Sequence, residues 1–392
     1  MKILLTTDWY KPTINGVVTS VDNLCSGLTA LGHEVRIATL SGLVHSMREG
    51  NVSYYGSVGM GIIYPEARLQ IPWNKKMTDE LKEWGPDIVH SQCEFSTFFL
   101  ARKIAHDLTI PLVHTYHTIY ADYTHYFFRN KALGEKSAVR FTEITLNQAD
   151  RVIVPSEKIR TVLSGYQICT PIELIPSGIE LEKFTGPAAA DRQRIRPQYG
   201  IPEDEFLLLP VGRLAQEKNL DEILHLLKKM PDRTQRLMIV GDGPHRKNLE
   251  ALAAKLGLSD QLIFTGRIEP DEIAAFYHAG DVFVNASNSE TQGLTYIEAM
   301  ASGLPLLCRR DPCLDGVIEH GKSGFLYEKD NEFTETADLL KHNRKLREEI
   351  GKAARQKAVE NYSISSFANS CGRLYEYCIR EKGRKKRTAS AG

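Results

Sequence analysis

Short apolar runs alternate with amphipathic helical stretches along this chain, and near its middle the pattern starts again. Met1-Lys2-Ile3-Leu4-Leu5-Thr6 reads as a first buried strand. A loop follows, then a helix from about Val17 to Leu31 and a strand from Glu34 to Thr39. Further strands fit Asp87 to His90, Leu112 to Thr115, Arg151 to Val154 and Ile172 to Ile175. Strands separated by helices pair in parallel, because each helix carries the chain back across the sheet. Residues 181–204 are rich in Gly, Pro and Ala, the composition of a linker. Phe206-Leu207-Leu208-Leu209-Pro210-Val211-Gly212 is then a second opening strand. It is followed by strands at Leu237 to Val240, Gln261 to Thr265, Asp281 to Val284 and Leu304 to Leu307.

The pattern predicts an α/β chain of two doubly wound Rossmann-like domains facing a central cleft, which suits a chain of 392 residues. The first domain spans 1–180 and is completed by a C-terminal helix, 362–380, crossing back to it. The second spans 205–361. Residues 381–392, with Lys382, Arg384, Lys385, Lys386 and Arg387, read as a basic disordered tail.

Composition narrows the partners. Lys plus Arg balances Asp plus Glu at 49 each, so no global field points to nucleic acid. Seven cysteines without a Cys-x-x-Cys argue against a disulfide framework or zinc ribbon and for reduced thiols in a cytoplasmic protein. The opening segment is too short in apolar residues for a signal peptide. No stretch approaches the roughly 18 apolar residues of a membrane span.

In open α/β sheets ligands bind beyond the carboxyl ends of the strands, so the loops after the strands are where chemistry is expected. In the first of these, Gly16 opens a helix, where a missing side chain and the positive end of the helix suit a phosphate. An ordinary turn glycine explains it equally well. The loop is not Gly-x-Gly-x-x-Gly, which disfavours a nicotinamide dehydrogenase. The corresponding loop of the second domain, Gly212-Arg213-Leu214-Ala215-Gln216-Glu217-Lys218-Asn219, carries two cations. Either alone reads as a solvated surface charge. Together after a strand, Arg213 and Lys218 can hold a diphosphate and stabilise it as it leaves, in place of a metal.

The stretch from Ser287 to Glu298 is the most informative. Gln292, Gly293, Leu294 and Thr295 present backbone amides at a helix N-terminus, suited to phosphate. Glu290 and Glu298 flank them, and a carboxylate accepts hydrogens from two sugar hydroxyls at once. One can hold a donor sugar and the other a ribose. Helix capping explains Glu290 cheaply, but not Glu298, about two turns into the expected helix.

Glu290-x7-Glu298, with Gly212-Arg213…Lys218 and Gly241-Asp242-Gly243-Pro244, resembles the retaining GT-B glycosyltransferases of family 4, which include sucrose synthases and phosphatidylinositol mannosyltransferases. The resemblance runs from Met1 to about Arg380. Asn15-Gly16-Val17-Val18-Thr19-Ser20, the run from His117 to Tyr126, and Glu290 to Glu298 look like the bacterial diacylglycerol α-glucosyltransferases. That resemblance implies α-glucose transfer from UDP-glucose to 1,2-diacylglycerol, with no metal or other cofactor held by the protein. It implies catalytic roles for His117, Glu290, Arg213 and Lys218, with His117 facing the donor sugar. It places Gly16, Arg213, Lys218, Glu290, Gln292, Gly293, Leu294, Thr295 and Glu298 on the donor, with Glu290 on the sugar and Glu298 on the ribose. Asp122 is a helper in positioning the acceptor.

A lipid acceptor requires a bilayer surface. Tyr126, Phe127, Phe128, Arg129 and Lys131 mix aromatics with cations, as do Trp73, Lys75 and Lys76, a pattern that suits anionic lipid. Packed aromatics and a solvated tail are the ordinary alternative. The expected location is peripheral, on the inner face of the cell membrane, with anionic lipids as partners and no nucleic acid. Two other readings share the donor residues: transfer to a soluble acceptor or polysaccharide precursor, and a non-catalytic nucleotide-sugar-binding protein.

Overall fold

A computed structural model describes every residue except 14, 60–67, 72–73, 121–130, 288 and 391–392. The chain forms two compact units, one of Met1–Gly178 together with the chain from Ile364 onward, the other of Ile179–Ser363.

The first unit runs β1 (Lys2–Thr7), α1 (Gly16–Ala30), β2 (Glu34–Leu40), β3 (Met47–Glu49), β4 (Val52–Tyr55), β5 (Ser57–Gly59), β6 (Arg68–Gln70), α2 (Lys75–Trp84), β7 (Ile88–Ser91), α3 (Ser96–Leu108), β8 (Leu112–Thr115), α4 (Lys131–Leu146), β9 (Arg151–Val154), α5 (Glu157–Ser164) and β10 (Ile172–Leu174). Its main sheet is ordered β10-β9-β8-β7-β1-β2-β4-β3. All neighbours are parallel except β3, which runs antiparallel to β4. The strands are apolar on both faces because helices cover both. Ile3 and Leu5 face Val21, Leu24 and Leu28 of α1, while Leu4 and Val89 face Leu81 of α2 and Phe98, Ala101 and Ile104 of α3.

The second unit runs α6 (Leu181–Phe184), α7 (Ala188–Gln198), β11 (Phe206–Leu209), α8 (Leu220–Lys229), β12 (Gln235–Val240), α9 (Arg246–Leu256), β13 (Leu262–Gly266), α10 (Ile273–Ala279), β14 (Val282–Asn285), α11 (Leu294–Ala301), β15 (Leu306–Arg309), β16 (Phe325–Tyr327), α12 (Asp330–His342) and α13 (Arg344–Asn361). Its sheet is ordered β13-β12-β11-β14-β15-β16 and is parallel throughout. In both sheets the strand order reverses beside the first strand of the unit. The loops after β1 and β7, and after β11 and β14, therefore diverge and leave a crevice.

Three expectations are corrected. Residues 181–204 are not an extended linker, since they hold α6 and α7. Leu181, Phe184 and Ile195 are buried in the second unit's core. Arg196, fully buried, reaches Asp281 at 2.7 Å and backbone oxygens of Pro202, Glu203 and Glu205. Gly and Pro mark the ends of these short helices rather than a flexible strap. The tail expected to be disordered continues the last helix, α14 (Ile364–Ser390). Lys382 meets Asp150 at 2.8 Å, and Glu381 meets Arg151 at 2.9 Å, so local charge pairing extends the helix where composition alone suggested solvation. Finally, Glu298 lies just over one turn into α11, not two, because the helix begins at Leu294.

Helix α14 packs on α1 in the first unit, placing Phe367, Ala368, Cys371 and Tyr375 in the same core as Ile3 and Leu24. The approach needs Gly27: a Cβ there would lie 2.7 Å from Ala368 Cβ.

Candidate active site

In the second unit the crevice is built from two loops. After β11 the chain bends at Gly212, exposes Arg213, and makes one 3-10 turn from Gln216 to Lys218. Asn219 follows in the left-handed conformation, φ 52°, held by its amide nitrogen 2.7 Å from Glu222 Oε2 and 3.3 Å from the Ala286 carbonyl. After β14 the chain returns at Gly293, φ 70°, into α11. A Cβ at Gly293 would lie 2.4 Å from the ring of buried Tyr296, so both the backbone angle and the space require glycine.

These loops bring Lys218 and Glu290 together, with Nζ 2.5 Å from Oε1. Arg213 and Lys218 line one pocket with Gly212 and Asn285. Arg213 is exposed, and its side chain makes no hydrogen bond or ion pair among the described residues. Glu290 is not the N-cap of α11: that position is Gly293, which has no side chain to cap with. The amides of Leu294 and Thr295 thus lie in the uncapped first turn of the helix. Gln292 is buried beside them.

Glu298 is half-buried, and its Oε2 accepts a hydrogen bond from the Tyr277 hydroxyl at 2.7 Å. Burial raises its pKa against the opposing effect of that bond. The hydroxyl fixes one oxygen and leaves Oε1 without a partner among the described residues. A second hydroxyl, such as one of a ribose, fits there.

In the first unit the crevice holds Gly16 and His117. Asn15 caps α1, its side-chain oxygen accepting from Val18 N at 2.9 Å. A Cβ built on Gly16 would meet nothing within 4 Å, so no packing inside the protein demands glycine there. His117, half-buried two residues past β8, places Nε2 2.8 Å from Gln92 Oε1. Burial, with His114 nearby, lowers its pKa to about 3 and keeps the ring neutral.

Sequence reasoning missed the loop after β7, although it expected that strand. Gln92 touches His117, and Glu94 accepts from Tyr120 Oη and lies 3.2 Å from His114 Nε2. Asp8, after β1, accepts from Thr97 N at 2.8 Å, and burial pushes its pKa up to about 6. The signal available was position: β7 is the strand beside the reversal of order, so its loop belongs to the crevice as much as the loop after β1. Of the acceptor residues expected, Asp122, Tyr126, Phe127, Phe128 and Arg129 lie outside the described residues, as does Trp73, and Lys131 is the first residue of α4. Among the described residues no helix is long and apolar enough to cross a membrane.

Comparison with known proteins agrees with this architecture. Residues 14–183 match the family model described as Glycosyltransferase Family 4, and residues 191–357 that described as Glycosyl transferases group 1. The chain is 37% identical over 333 residues to the alpha-monoglucosyldiacylglycerol synthase of Streptococcus pneumoniae, covering 83% of this chain and 75% of that protein. It is 32% identical over 403 residues to the protein of the same name from Acholeplasma laidlawii, covering 98% and 99%. Among solved structures, Anabaena HepE in complex with UDP and glucose superposes with a TM-score of 0.77 at 17% identity, over 96% of this chain and 100% of that one. Two parallel sheets with the same reversal of strand order, and family matches across both units, establish that the chain belongs to the family 4, group 1 glycosyltransferases and is an enzyme of the GT-B fold.

Proposed function

We propose that the enzyme transfers α-glucose from UDP-glucose to the hydroxyl of 1,2-diacylglycerol, with retention of configuration, giving monoglucosyldiacylglycerol. The observation that carries the reading is the meeting of Lys218 with Glu290 beside exposed Arg213, a carboxylate against cations that line the pocket after β11. The names of the two relatives support the sugar and the acceptor.

In this reading Arg213 and Lys218 hold the diphosphate and offset the charge that develops as UDP departs. These residues fill the electrostatic role a metal would otherwise take, so turnover is expected to survive a chelator. The amides of Leu294 and Thr295 face the phosphates. Glu290 accepts from hydroxyls of the glucose, and Glu298 Oε1 from the ribose. His117, being neutral, meets the sugar as a hydrogen-bond partner and not as a cation. The acceptor hydroxyl attacks from the face that UDP leaves, and its proton departs with the diphosphate oxygen. No protein nucleophile is assigned, which separates this scheme from paired-carboxylate hydrolysis. The enzyme works at the inner membrane surface, drawn there by the cations of α14.

The test is transfer of radiolabelled glucose from UDP-glucose to diacylglycerol in mixed micelles containing anionic lipid. A labelled monoglucosyl lipid with the α-configuration is expected. Release of UDP without a lipid product would overturn the acceptor and direct the search to soluble ones.

A further inference from the structure

Behind His117 lies a line of buried polar side chains that donor binding, as described above, does not use. His90 and Gln92 come from the end of β7, Thr115 from the end of β8, and Tyr375 from α14; all four are at most 3% exposed. Gln92 Oε1 is 2.8 Å from His117 Nε2, and Gln92 Nε2 is 3.1 Å from His90 Nε2. His90 Nε2 is also 2.7 Å from Thr115 Oγ1, and His90 Nδ1 is 2.5 Å from the Tyr375 hydroxyl.

An amide side chain has one accepting end and one donating end, so its orientation sets the hydrogens on both neighbours. The Oε1 end accepts from His117, which therefore carries its hydrogen on Nε2. The amide nitrogen donates to His90 Nε2, as does the Thr115 hydroxyl. That nitrogen is bare, so His90 carries its hydrogen on Nδ1 and donates it to the Tyr375 hydroxyl oxygen. Every bond in the line then has one donor and one acceptor. Its outcome falls on His117 Nδ1, which is bare and has no protein partner among the described residues.

We propose that Gln92 is a positioning residue that fixes the tautomer of His117, so that a bare Nδ1 accepts a hydrogen from a donor-sugar hydroxyl, and that His90 and Tyr375 hold Gln92 in the orientation that does this. The inference rests on the placement of His117 at the reaction centre. A bare nitrogen accepts from hydroxyls and gives nothing to a phosphate. The opposite tautomer would present an N–H instead and lose that contact. The line explains why α14 carries a fully buried tyrosine under the crevice: its hydroxyl ends the series of bonds.

The test uses the full chain with histidine labelled by ¹⁵N, His117→Ala to assign the His117 signals, and Gln92→Met and Gln92→Glu as near-isosteric variants. In the parent protein His117 should show a protonated Nε2 and a bare Nδ1. Gln92→Met should mix the two tautomers and lower kcat with UDP-glucose and diacylglycerol about tenfold, the worth of one hydrogen bond, with affinity for UDP unchanged. Gln92→Glu keeps an acceptor for His117 Nε2 but has no N–H for His90, so it should keep the hydrogen on His117 Nε2 and recover only part of the rate. Tyr375→Phe should give a smaller shift of the same kind. An unchanged His117 tautomer in Gln92→Met would overturn the proposal, as would a changed tautomer with full turnover. Full activity of His117→Ala would instead remove His117 from the reaction centre, a failure told apart from that of Gln92 by this variant alone. If Gln92→Met melts early, Tyr375→Phe takes its place, and an unchanged His117 tautomer and rate in that variant would overturn the proposal.

Discussion

Lys218 Nζ lies 2.5 Å from Glu290 Oε1, and this pair ties the loop after β11 to the loop after β14. The partners are 28% and 13% exposed, so the pair is partly shielded from solvent. It places a cation and a carboxylate side by side, as the proposed contacts to two parts of the donor require.

Glu290→Ala is expected to reduce kcat by about 100-fold, while the melting temperature barely moves. Lys218→Ala should weaken UDP binding. A double-mutant cycle on kcat/KM should show coupling on the order of 1–2 kcal/mol. Additive losses would mean that the two residues act on the donor independently.

Gly16→Val places a side chain where the protein itself has no atom within 4 Å of the added Cβ. Stability should stay within about 0.5 kcal/mol of the parent, since no buried group is disturbed. Donor affinity, read by calorimetric titration with UDP-glucose, should fall by at least about tenfold. Unchanged affinity would leave Gly16 an ordinary turn residue.

Glu298→Gln keeps the acceptor for Tyr277 but removes the charge. Affinity for UDP should fall by about tenfold, the difference between a charged and a neutral hydrogen bond to a ribose hydroxyl. Affinity for UDP equal to that of the parent protein would remove the ribose assignment.

Asp8 makes stability depend on pH. Its carboxyl titrates near 3.8 when unfolded and at about 6 when folded, because burial disfavours the charge. The folded state therefore binds the proton more tightly. Asp8 is neutral in both states below about pH 4, and folding loses free energy as pH rises from there to about 6. At about 1.4 kcal/mol per pH unit the loss is about 3 kcal/mol. Asp8→Asn should be free of this loss. The stability of the parent relative to Asp8→Asn, measured by denaturant unfolding, should fall through this window and level off above it. A difference independent of pH would show that Asp8 titrates alike in both states.

Removing residues 384–392 spares the pairs made by Glu381 and Lys382 but takes away Arg384, Lys385, Lys386 and Arg387. Each cation near an anionic surface contributes about 1 kcal/mol. Sedimentation with anionic vesicles should drop sharply, with binding to neutral vesicles and release of UDP from UDP-glucose unaffected. Equal sedimentation would take the end of α14 out of membrane recruitment.

The principal parallel strands and the restart between them were legible in the sequence because they depend on local patterning, whereas β3 to β6 and β16, three or four residues each, were not read. Ile3, Leu4 and Leu5 must be buried on both faces of a sheet, and the restart at Phe206 announces a second sheet without reference to anything distant. That Glu290, Arg213 and Lys218 stand at the crevice was legible for a related reason, since all three lie in loops that follow strands. Residues 181–204 were misread because Gly and Pro bound short helices as readily as they make linkers. The burial of Phe184 and Ile195 that decides between the two comes from distant chain. The same holds for the end of α14, whose helix is secured by Asp150 and Arg151.

What the sequence determined alone was the two-sheet architecture and the residue types at its strand ends. Only the tertiary structure decided which of these meet. Lys218 and Glu290 are 72 positions apart, and His90 and Tyr375 are 285. Strand order and helix packing bring such pairs within hydrogen-bonding distance, and neither is written in the periodicity of any one segment.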